Sequence, residues 1–219
     1  QQHGWMLATA ESCTGGMIAA NCTDLSGSSN WFERGFVTYS NEAKHEMLGV
    51  DSALIAEHGA VSQAVAQAMT LGAMRRSHAQ VTLAVTGVAG PTGGSAEKPV
   101  GTVWFAWATP SDAGPTLGAE TAWVKTEVMH FPGDRAAVRE ATTQHALKTL
   151  LDLLQQCRNA ARSTSDSLNT LFFAHSAQTG HGSGPGLKVQ SPGADLAGLV
   201  GTPGHHRTVA AQGYGVLVT

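Results

Sequence analysis

The chain has 219 residues, of which 42% are hydrophobic, so it is long enough for one domain with a substantial core. A formal net charge of −3 and a charged content of 13% argue against a nucleic-acid-binding protein, which needs a basic face. The three cysteines lack the spacing of a disulfide framework or a zinc site, and no apolar run is long enough to span a membrane. We therefore expect a cytoplasmic protein with neither nucleic acid nor membrane as a partner.

The first predicted element is a buried strand at residues 5–10, because its apolar run is nearly continuous. A polar turn with the sequence ESCTGG follows, and a helix begins at Met17. In this order of elements, the free backbone N–H groups at the start of the helix can bind an anion. The alternative is a tight connection without any ligand. The chain opens on Gln1 and reaches the strand at once, so we expect a fragment that lacks its first helix.

Residues 26–50 bring a hydroxyl, a phenol and an amine close together in the sequence. Ser29 lies in a Gly/Ser turn, and Tyr39 ends a short strand that is predicted from residue 36. Ser40 is a suitable N-cap for the next helix, which carries Lys44 in its first turn. A lysine there opposes the helix macrodipole, which indicates that its amine has another role.

The remaining predicted elements are a long amphipathic helix, three strands and a last helix, at residues 52–76, 81–86, 101–108, 121–128 and 136 to about 156. A glycine-rich loop follows the strand 81–86, and an exposed hairpin loop is expected at 110–118. This pattern predicts an α/β fold, a layered α/β/α domain with a mixed central sheet. Its glycine-rich loops would lie at the carboxyl ends of strands, where ligands of open α/β sheets usually bind.

From Cys157 onward the sequence is rich in Ser, Gly, Pro and His, and it loses its apolar periodicity. We therefore expect one domain at residues 1–156 and a low-complexity, disordered tail at 157–219. His205 and His206 in this tail lack the cysteine or carboxylate partners of a metal site. No metal site is predicted.

Four runs of residues closely resemble one known family: ATAESCTGG, GSSNWFERGFVTYSNEAKHEMLGV, VTGVAGPTGGSAEKPVGTVWFA and HFPGDRAAVR. The family is that of the C-terminal domain of the competence/damage-inducible CinA proteins, which also occurs alone in the deamidase PncC. The resemblance extends from residue 5 to about 154. It implies an amidohydrolase of pyridine-nucleotide salvage that converts nicotinamide mononucleotide to nicotinic acid mononucleotide and ammonia. It also implies a homo-oligomer, with a dimer favoured, that needs no metal and no cofactor.

The resemblance further implies a serine/lysine pair, which maps to Ser29 and Lys44 with Tyr39 beside them. Amide hydrolysis needs a nucleophile, a base for it and donors for the oxyanion. Lys44 is a base only when neutral, so its pKa must fall through burial or adjacent cations. Arg135 begins a helix, where a guanidinium suits a phosphate. The predicted substrate-binding residues are Ser12, Thr14, Gly15, Thr86, Gly87, Gly90 and Arg135.

Two alternatives remain open from the residues themselves. Ser12 competes with Ser29 as the nucleophile, because strand, serine, turn and helix in that order resemble a nucleophile elbow. Cys13 beside it is predicted to be a buried structural thiol. For function, the alternatives are a non-catalytic nucleotide-binding or regulatory module and an enzyme that acts on a different amide.

Overall fold

The computed structural model describes residues 4–110 and 119–178, and the side-chain surroundings of those up to residue 159. The strands are β1 (Leu7–Glu11), β2 (Phe32–Val37), β3 (Val81–Gly87), β4 (Thr102–Pro110) and β5 (Ala122–His130). The helices are α1 (Met17–Thr23), α2 (Asn41–Leu48), α3 (Ser52–His58), α4 (Gln63–Arg75) and α5 (Arg135–Gln178), and a short 3-10 helix covers Ser28–Asn30.

The five strands form one mixed sheet in the order β2-β1-β3-β4-β5. β1 is paired in parallel with β2 on one side and with β3 on the other, whereas β4 and β5 are antiparallel additions. The predicted mixed sheet is therefore confirmed. Because β2, β1 and β3 run in the same direction, their carboxyl ends meet at one edge of the sheet.

Helices cover both faces of the sheet, so the predicted α/β/α layering is also confirmed. Successive residues of a strand point to opposite faces, and along β3 Leu83 and Ala84 belong to different cores. One core combines large strand side chains such as Phe105 and Trp107 with residues of α1 and α5. The other core combines small strand residues such as Ala84 with α2, α3 and α4, and this allows α4 to lie close against the sheet.

The prediction of one long helix at residues 52–76 is wrong, because two helices occupy this segment. α3 ends at Gly59, which has a φ of 76° that favours glycine. α4 then begins with its own N-cap, Ser62, whose hydroxyl accepts a hydrogen bond from the N–H of Val65 at 3.3 Å. A shared hydrophobic periodicity conceals this break in the sequence.

α5 continues to Gln178, beyond the end near residue 156 that the sequence predicts. Residues 157–178 contain neither proline nor glycine, so nothing in this segment interrupts the helix. The compact unit that contains the sheet ends at Leu171, and the described part of a second unit, Phe172–Thr219, is the end of α5. The predicted loop tip at 111–118 and the tail beyond Gln178 lie outside the described residues. Among those described, none of the helices combines the length and apolar character that a bilayer crossing requires.

Candidate active site

A serine and a lysine meet at the edge of the sheet where the parallel strands end. Ser12 directly follows β1, and Lys44 lies in α2, which follows β2. Because β1 and β2 are parallel neighbours, the segments that follow them lie side by side. The Nζ atom of Lys44 lies 3.1 Å from the Oγ atom of Ser12. Both side chains are buried, with exposed fractions of 1% for Lys44 and 8% for Ser12.

The surroundings of Lys44 favour its neutral form. Burial lowers the pKa of the Lys44 amine, and the nearby carboxylate of Glu42 opposes this shift only in part. Besides Ser12, the Nζ atom contacts the backbone carbonyls of residues 38, 39 and 40, at 2.9, 3.3 and 3.4 Å. In this geometry the Nζ atom donates to the Oγ atom of Ser12 as well as to these carbonyls.

The structure does not place Ser29 beside Lys44, so the predicted proximity of this pair is wrong. Ser29 is exposed in the 3-10 helix that precedes β2, whereas Lys44 follows β2. The register of β2 against β1 runs from Phe32 at one end to Val37 at the other. The length of β2 therefore separates Ser29 from Lys44, and the two residues lie at opposite ends of the parallel strands.

Tyr39, Gly90 and Arg135 come together near the buried pair, because the carbonyl of Tyr39 contacts Lys44. The guanidinium of Arg135 donates to the phenol oxygen of Tyr39 at 3.0 Å and to the carbonyl of Gly90 at 2.9 Å. Tyr39 is 62% exposed, and Arg135 is also exposed. A phenol and a cation thus face the solvent beside the buried pair of Ser12 and Lys44.

Thr14 and Gly15 shape the turn that begins with Ser12. The carbonyl of Thr14 accepts a hydrogen bond from Arg139 at 2.9 Å, and the N–H of Gly15 donates to the carbonyl of Ser12 at 3.1 Å. Gly15 has a φ of 61°, a conformation that side chains disfavour. These contacts fix the course of the backbone around Ser12.

The sequence analysis missed Glu11, the last residue of β1. Its carboxylate is fully buried and accepts a hydrogen bond from the hydroxyl of Thr14 at 2.7 Å. It also accepts from the N–H groups of Gly16, Ile18 and Ala19, at 3.0, 3.0 and 2.8 Å. The prediction that this helix start offers free N–H groups to an external anion is therefore wrong for these three. An acidic residue just before a helix start is the signal that could have indicated this.

Thr86 and Gly87 lie at the end of β3 and position the glycine-rich loop that follows it. The buried hydroxyl of Thr86 donates to the carbonyl of Ala60 at 2.8 Å, which ties β3 to the segment between α3 and α4. Gly87 is paired with Val103 of β4. A Cβ at Gly87 would lie 2.7 Å from the Val103 side chain, so only glycine fits this close approach.

Cys13 is buried, as predicted, and burial raises the pKa of its thiol to about 11. It is therefore a protonated, weakly nucleophilic neighbour of Ser12 at neutral pH. Within residues 4–110 and 119–178, no three His, Cys, Asp or Glu side chains are grouped so that they could hold a metal ion.

Comparison with known proteins places this fold and site in one family. The profile of the CinA C-terminal domain matches residues 1–154. The nicotinamide-nucleotide amidohydrolase PncC of Escherichia coli strain K12 is 52% identical over 147 residues, covering 67% of this chain and 83% of that protein. A CinA-like protein of Akkermansia muciniphila is 52% identical over 151 residues, covering 69% of this chain and 34% of that protein.

A solved structure agrees with these sequence matches. The crystal structure of the competence/damage inducible protein CihA from Agrobacterium tumefaciens superimposes with a TM-score of 0.62 at 45% identity, covering 69% of this chain and 87% of that one. The resemblance inferred from the four sequence runs is thereby confirmed. The chain belongs to the family of the CinA C-terminal domain.

Proposed function

We propose that this chain hydrolyses the carboxamide of nicotinamide mononucleotide to nicotinic acid mononucleotide and ammonia, with Ser12 as nucleophile and Lys44 as base. The observation that carries the proposal is the 3.1 Å contact between the Oγ atom of Ser12 and the Nζ atom of Lys44. The name of the PncC relative, a nicotinamide-nucleotide amidohydrolase that is 52% identical over 147 residues, supports this choice of substrate. Ser12 thus takes the role that the sequence analysis gave to Ser29.

The first half of the proposed reaction forms an ester on Ser12. Neutral Lys44 accepts the hydroxyl proton while the Ser12 oxygen attacks the amide carbon, which gives a tetrahedral intermediate. The Lys44 ammonium then protonates the amide nitrogen as the carbon–nitrogen bond breaks, so ammonia leaves and Lys44 is neutral again.

The second half returns the enzyme to its starting state. A water molecule loses a proton to Lys44 and attacks the ester carbon, and the Ser12 oxygen departs with that proton. The product is the carboxylic acid, nicotinic acid mononucleotide. Each half therefore uses the same amine as base and then as acid, which requires that the Lys44 pKa lie near the working pH.

The turn after Ser12 is the proposed source of oxyanion stabilisation. In a strand–nucleophile–helix arrangement, the N–H of the residue after the nucleophile points to the developing oxyanion, and that residue here is Cys13. The contacts of Thr14 and Gly15 described above hold this turn in one conformation. A preorganised donor stabilises the transition state more effectively than one that must reorient.

Arg135 is the proposed ligand of the 5′-phosphate. Its guanidinium is exposed at the start of α5, where the helix dipole adds positive potential. Its contacts with Tyr39 and Gly90 hold it beside Tyr39, whose carbonyl contacts Lys44. Tyr39 then lies between the phosphate position and the buried pair, where its phenol is available to orient the substrate.

We also propose that the chain acts in the cytoplasm, in pyridine-nucleotide salvage, as a homodimer. β5 is an edge strand of the sheet and exposes Trp123 and Val128, with exposed fractions of 48% and 38%. These two side chains point to opposite faces of the sheet, so a second copy of the chain that paired with the free edge of β5 would cover that edge and the backbone groups it exposes. Light scattering coupled to size exclusion measures the mass, and a monomer at micromolar concentration would contradict the dimer.

The activity is tested by incubation with nicotinamide mononucleotide and measurement of both ammonia and nicotinic acid mononucleotide. Equal amounts of the two products are expected from the wild type and none from Ser12→Ala, prepared in parallel. Nicotinamide riboside and nicotinamide complete the panel and test the need for the phosphate. A folded wild type that binds the nucleotide in calorimetry but releases no ammonia would instead support a non-catalytic binding module.

A further inference from the structure

A fully buried carboxylate lies directly behind the proposed nucleophile, and the reaction described above does not use it. Glu11 immediately precedes Ser12, and its side chain has no measurable exposure. Among the described residues, no cation lies within ion-pair distance of it. Burying a charge without a partner cation is costly, so an apolar residue would be expected here if Glu11 only filled space.

Hydrogen bonds reach both oxygens of the Glu11 carboxylate. One oxygen, Oε2, accepts from the hydroxyl of Thr14 and from two N–H groups, those of Gly16 and Ile18. The other oxygen, Oε1, accepts from the N–H of Ala19. The hydroxyl of Thr9 also donates to Oε1, at 3.4 Å, so partners from β1, from the turn and from α1 converge on this one side chain.

Contacts of Glu11 fix the backbone both before and after Ser12. On the strand side, the backbone of Glu11 is paired with Val37 of β2 and Val85 of β3, and the N–H of Ser12 donates to the carbonyl of Val85 at 3.1 Å. On the turn side, the carboxylate holds Thr14 and Gly16. Ser12 therefore lies between two segments that the same residue fixes.

We propose that Glu11 is a positioning residue for Ser12: its carboxylate closes the turn after Ser12 onto the end of β1 and so holds the hydroxyl against Lys44. This inference rests on the proposed function, because it assumes that Ser12 is the nucleophile. Glu11 does not touch the substrate. It acts through the backbone, where a displacement of about 1 Å can cost about 10²-fold in rate.

The direct test is Glu11→Gln, which keeps the size of the side chain but turns one acceptor into an NH₂ group that faces a donor. We expect kcat to fall about 10²-fold, while KM changes by less than about threefold, because substrate contacts stay in place. The matched control is Thr82→Val, which removes another buried hydroxyl of the sheet, one that bonds Thr70 at a site away from Ser12. The control is expected to lose stability and keep the kcat of the wild type.

A second pair of variants decides the question if Glu11→Gln does not fold. Thr14→Val removes one donor to Oε2, whereas Thr14→Ser keeps the hydroxyl. We expect Thr14→Val to lower kcat and Thr14→Ser to keep the kcat of the wild type. A purely structural role would instead lower the thermal midpoint of Thr14→Val without a change in kcat.

A measurement that does not use the substrate tests this inference separately from the proposed function. The rate at which a fluorophosphonate labels Ser12, followed by mass spectrometry, reports the reactivity of the hydroxyl directly. Slow labelling of Glu11→Gln and fast labelling of the wild type support the inference even if no ammonia is released. Equal labelling rates and equal kcat in the folded variant overturn it. A wild type that is neither labelled nor active overturns both.

Discussion

The amine of Lys44 lies 3.1 Å from the hydroxyl of Ser12, although the two residues are 32 positions apart in the chain. They belong to two successive strand–helix units, whose strands are parallel neighbours. Parallel pairing brings the residues that follow each strand to the same edge, so the contact is a direct consequence of the sheet topology. Lys44 reaches the site from the first turn of a helix, where its charge is unfavourable for the helix itself.

Replacing each of the two candidate serines by alanine tests the assignment of the nucleophile. We expect Ser12→Ala to lower kcat roughly 10³-fold or more, because no other hydroxyl takes its place against Lys44. Ser29→Ala is the matched variant, and its activity is expected to equal that of the wild type within about twofold, because Ser29 lies exposed at the opposite edge. Ammonia release is the measurement. An inactive Ser29→Ala and an active Ser12→Ala would reverse the assignment.

The pH dependence of kcat tests the role of Lys44. Burial lowers its pKa from an ordinary value of 10.5, so the neutral, basic form is populated at lower pH than for a free lysine. We expect kcat to rise with pH up to this lowered pKa and then to level off. Lys44→Met should remove the rise and lower kcat by about 10²- to 10⁴-fold. A wild-type profile that is flat from pH 5 to 10 would contradict the prediction.

Lys44 should also leave a signature in stability. Between its lowered pKa in the folded state and its ordinary pKa in the unfolded chain, the unfolded state binds more protons. The free energy of unfolding is therefore expected to gain a contribution as pH rises through this window, and to lose it as pH falls. Urea unfolding of the wild type and of Lys44→Met at several pH values measures the difference. A difference that does not change with pH would show that the amine titrates normally.

Removing the guanidinium of Arg135 tests phosphate recognition. We expect Arg135→Ala to raise KM for nicotinamide mononucleotide about 10- to 100-fold, the range of a charge-assisted hydrogen bond, and to leave KM for nicotinamide riboside unchanged. Arg34→Ala is the matched control, because it removes an arginine from β2 that is bonded to Glu33 away from the site. An equal rise in KM for both substrates would mean that Arg135 acts through Tyr39 and not on the phosphate.

The thiols should differ in their reactivity. Burial raises the pKa of Cys13 to about 11 and that of Cys22 to about 12, so both remain protonated at pH 7.5. Cys157 is only partly buried. We expect iodoacetamide to label Cys157 in the folded protein and to leave Cys13 and Cys22 unmodified, with full activity retained. Peptide mass spectrometry gives the positions, and rapid labelling of Cys13 would contradict its burial.

Much of the fold could be predicted because it depends on local pattern. The apolar runs of β1 and β3 indicate buried strands, and the glycine-rich segments after them indicate an edge with ligand-binding loops. The break between α3 and α4 does not show in the hydrophobic pattern, since apolar residues keep a helical spacing across Gly59, although Ser62 is a capping residue that marks the start of α4. What decides there is the backbone conformation of one glycine, which the hydrophobic pattern does not record.

The site could be predicted only in part, because it depends on which ends of the strands meet. Lys44 was identified from its unfavourable position in a helix. The pairing of Ser29 with Lys44 rests on the family resemblance, but β2 runs between the two residues and carries them apart. Ser12 lies farther away along the chain and is brought close by strand pairing. The role of Glu11 depends on contacts with the helix that follows, which no local pattern specifies.

The two loops beside the proposed substrate site, which follow β1 and β3, are both bonded to α5. Arg139 donates to the carbonyl of Thr14 in the loop after β1, and Arg135 donates to the carbonyl of Gly90 in the loop after β3. A tilt or shift of the start of α5 would therefore move both loops at the same time. The width of the proposed opening thus depends on the position of this one helix. A fragment cut before Arg135 would lose both of these contacts at once, together with the α5 side chains that complete one of the two cores.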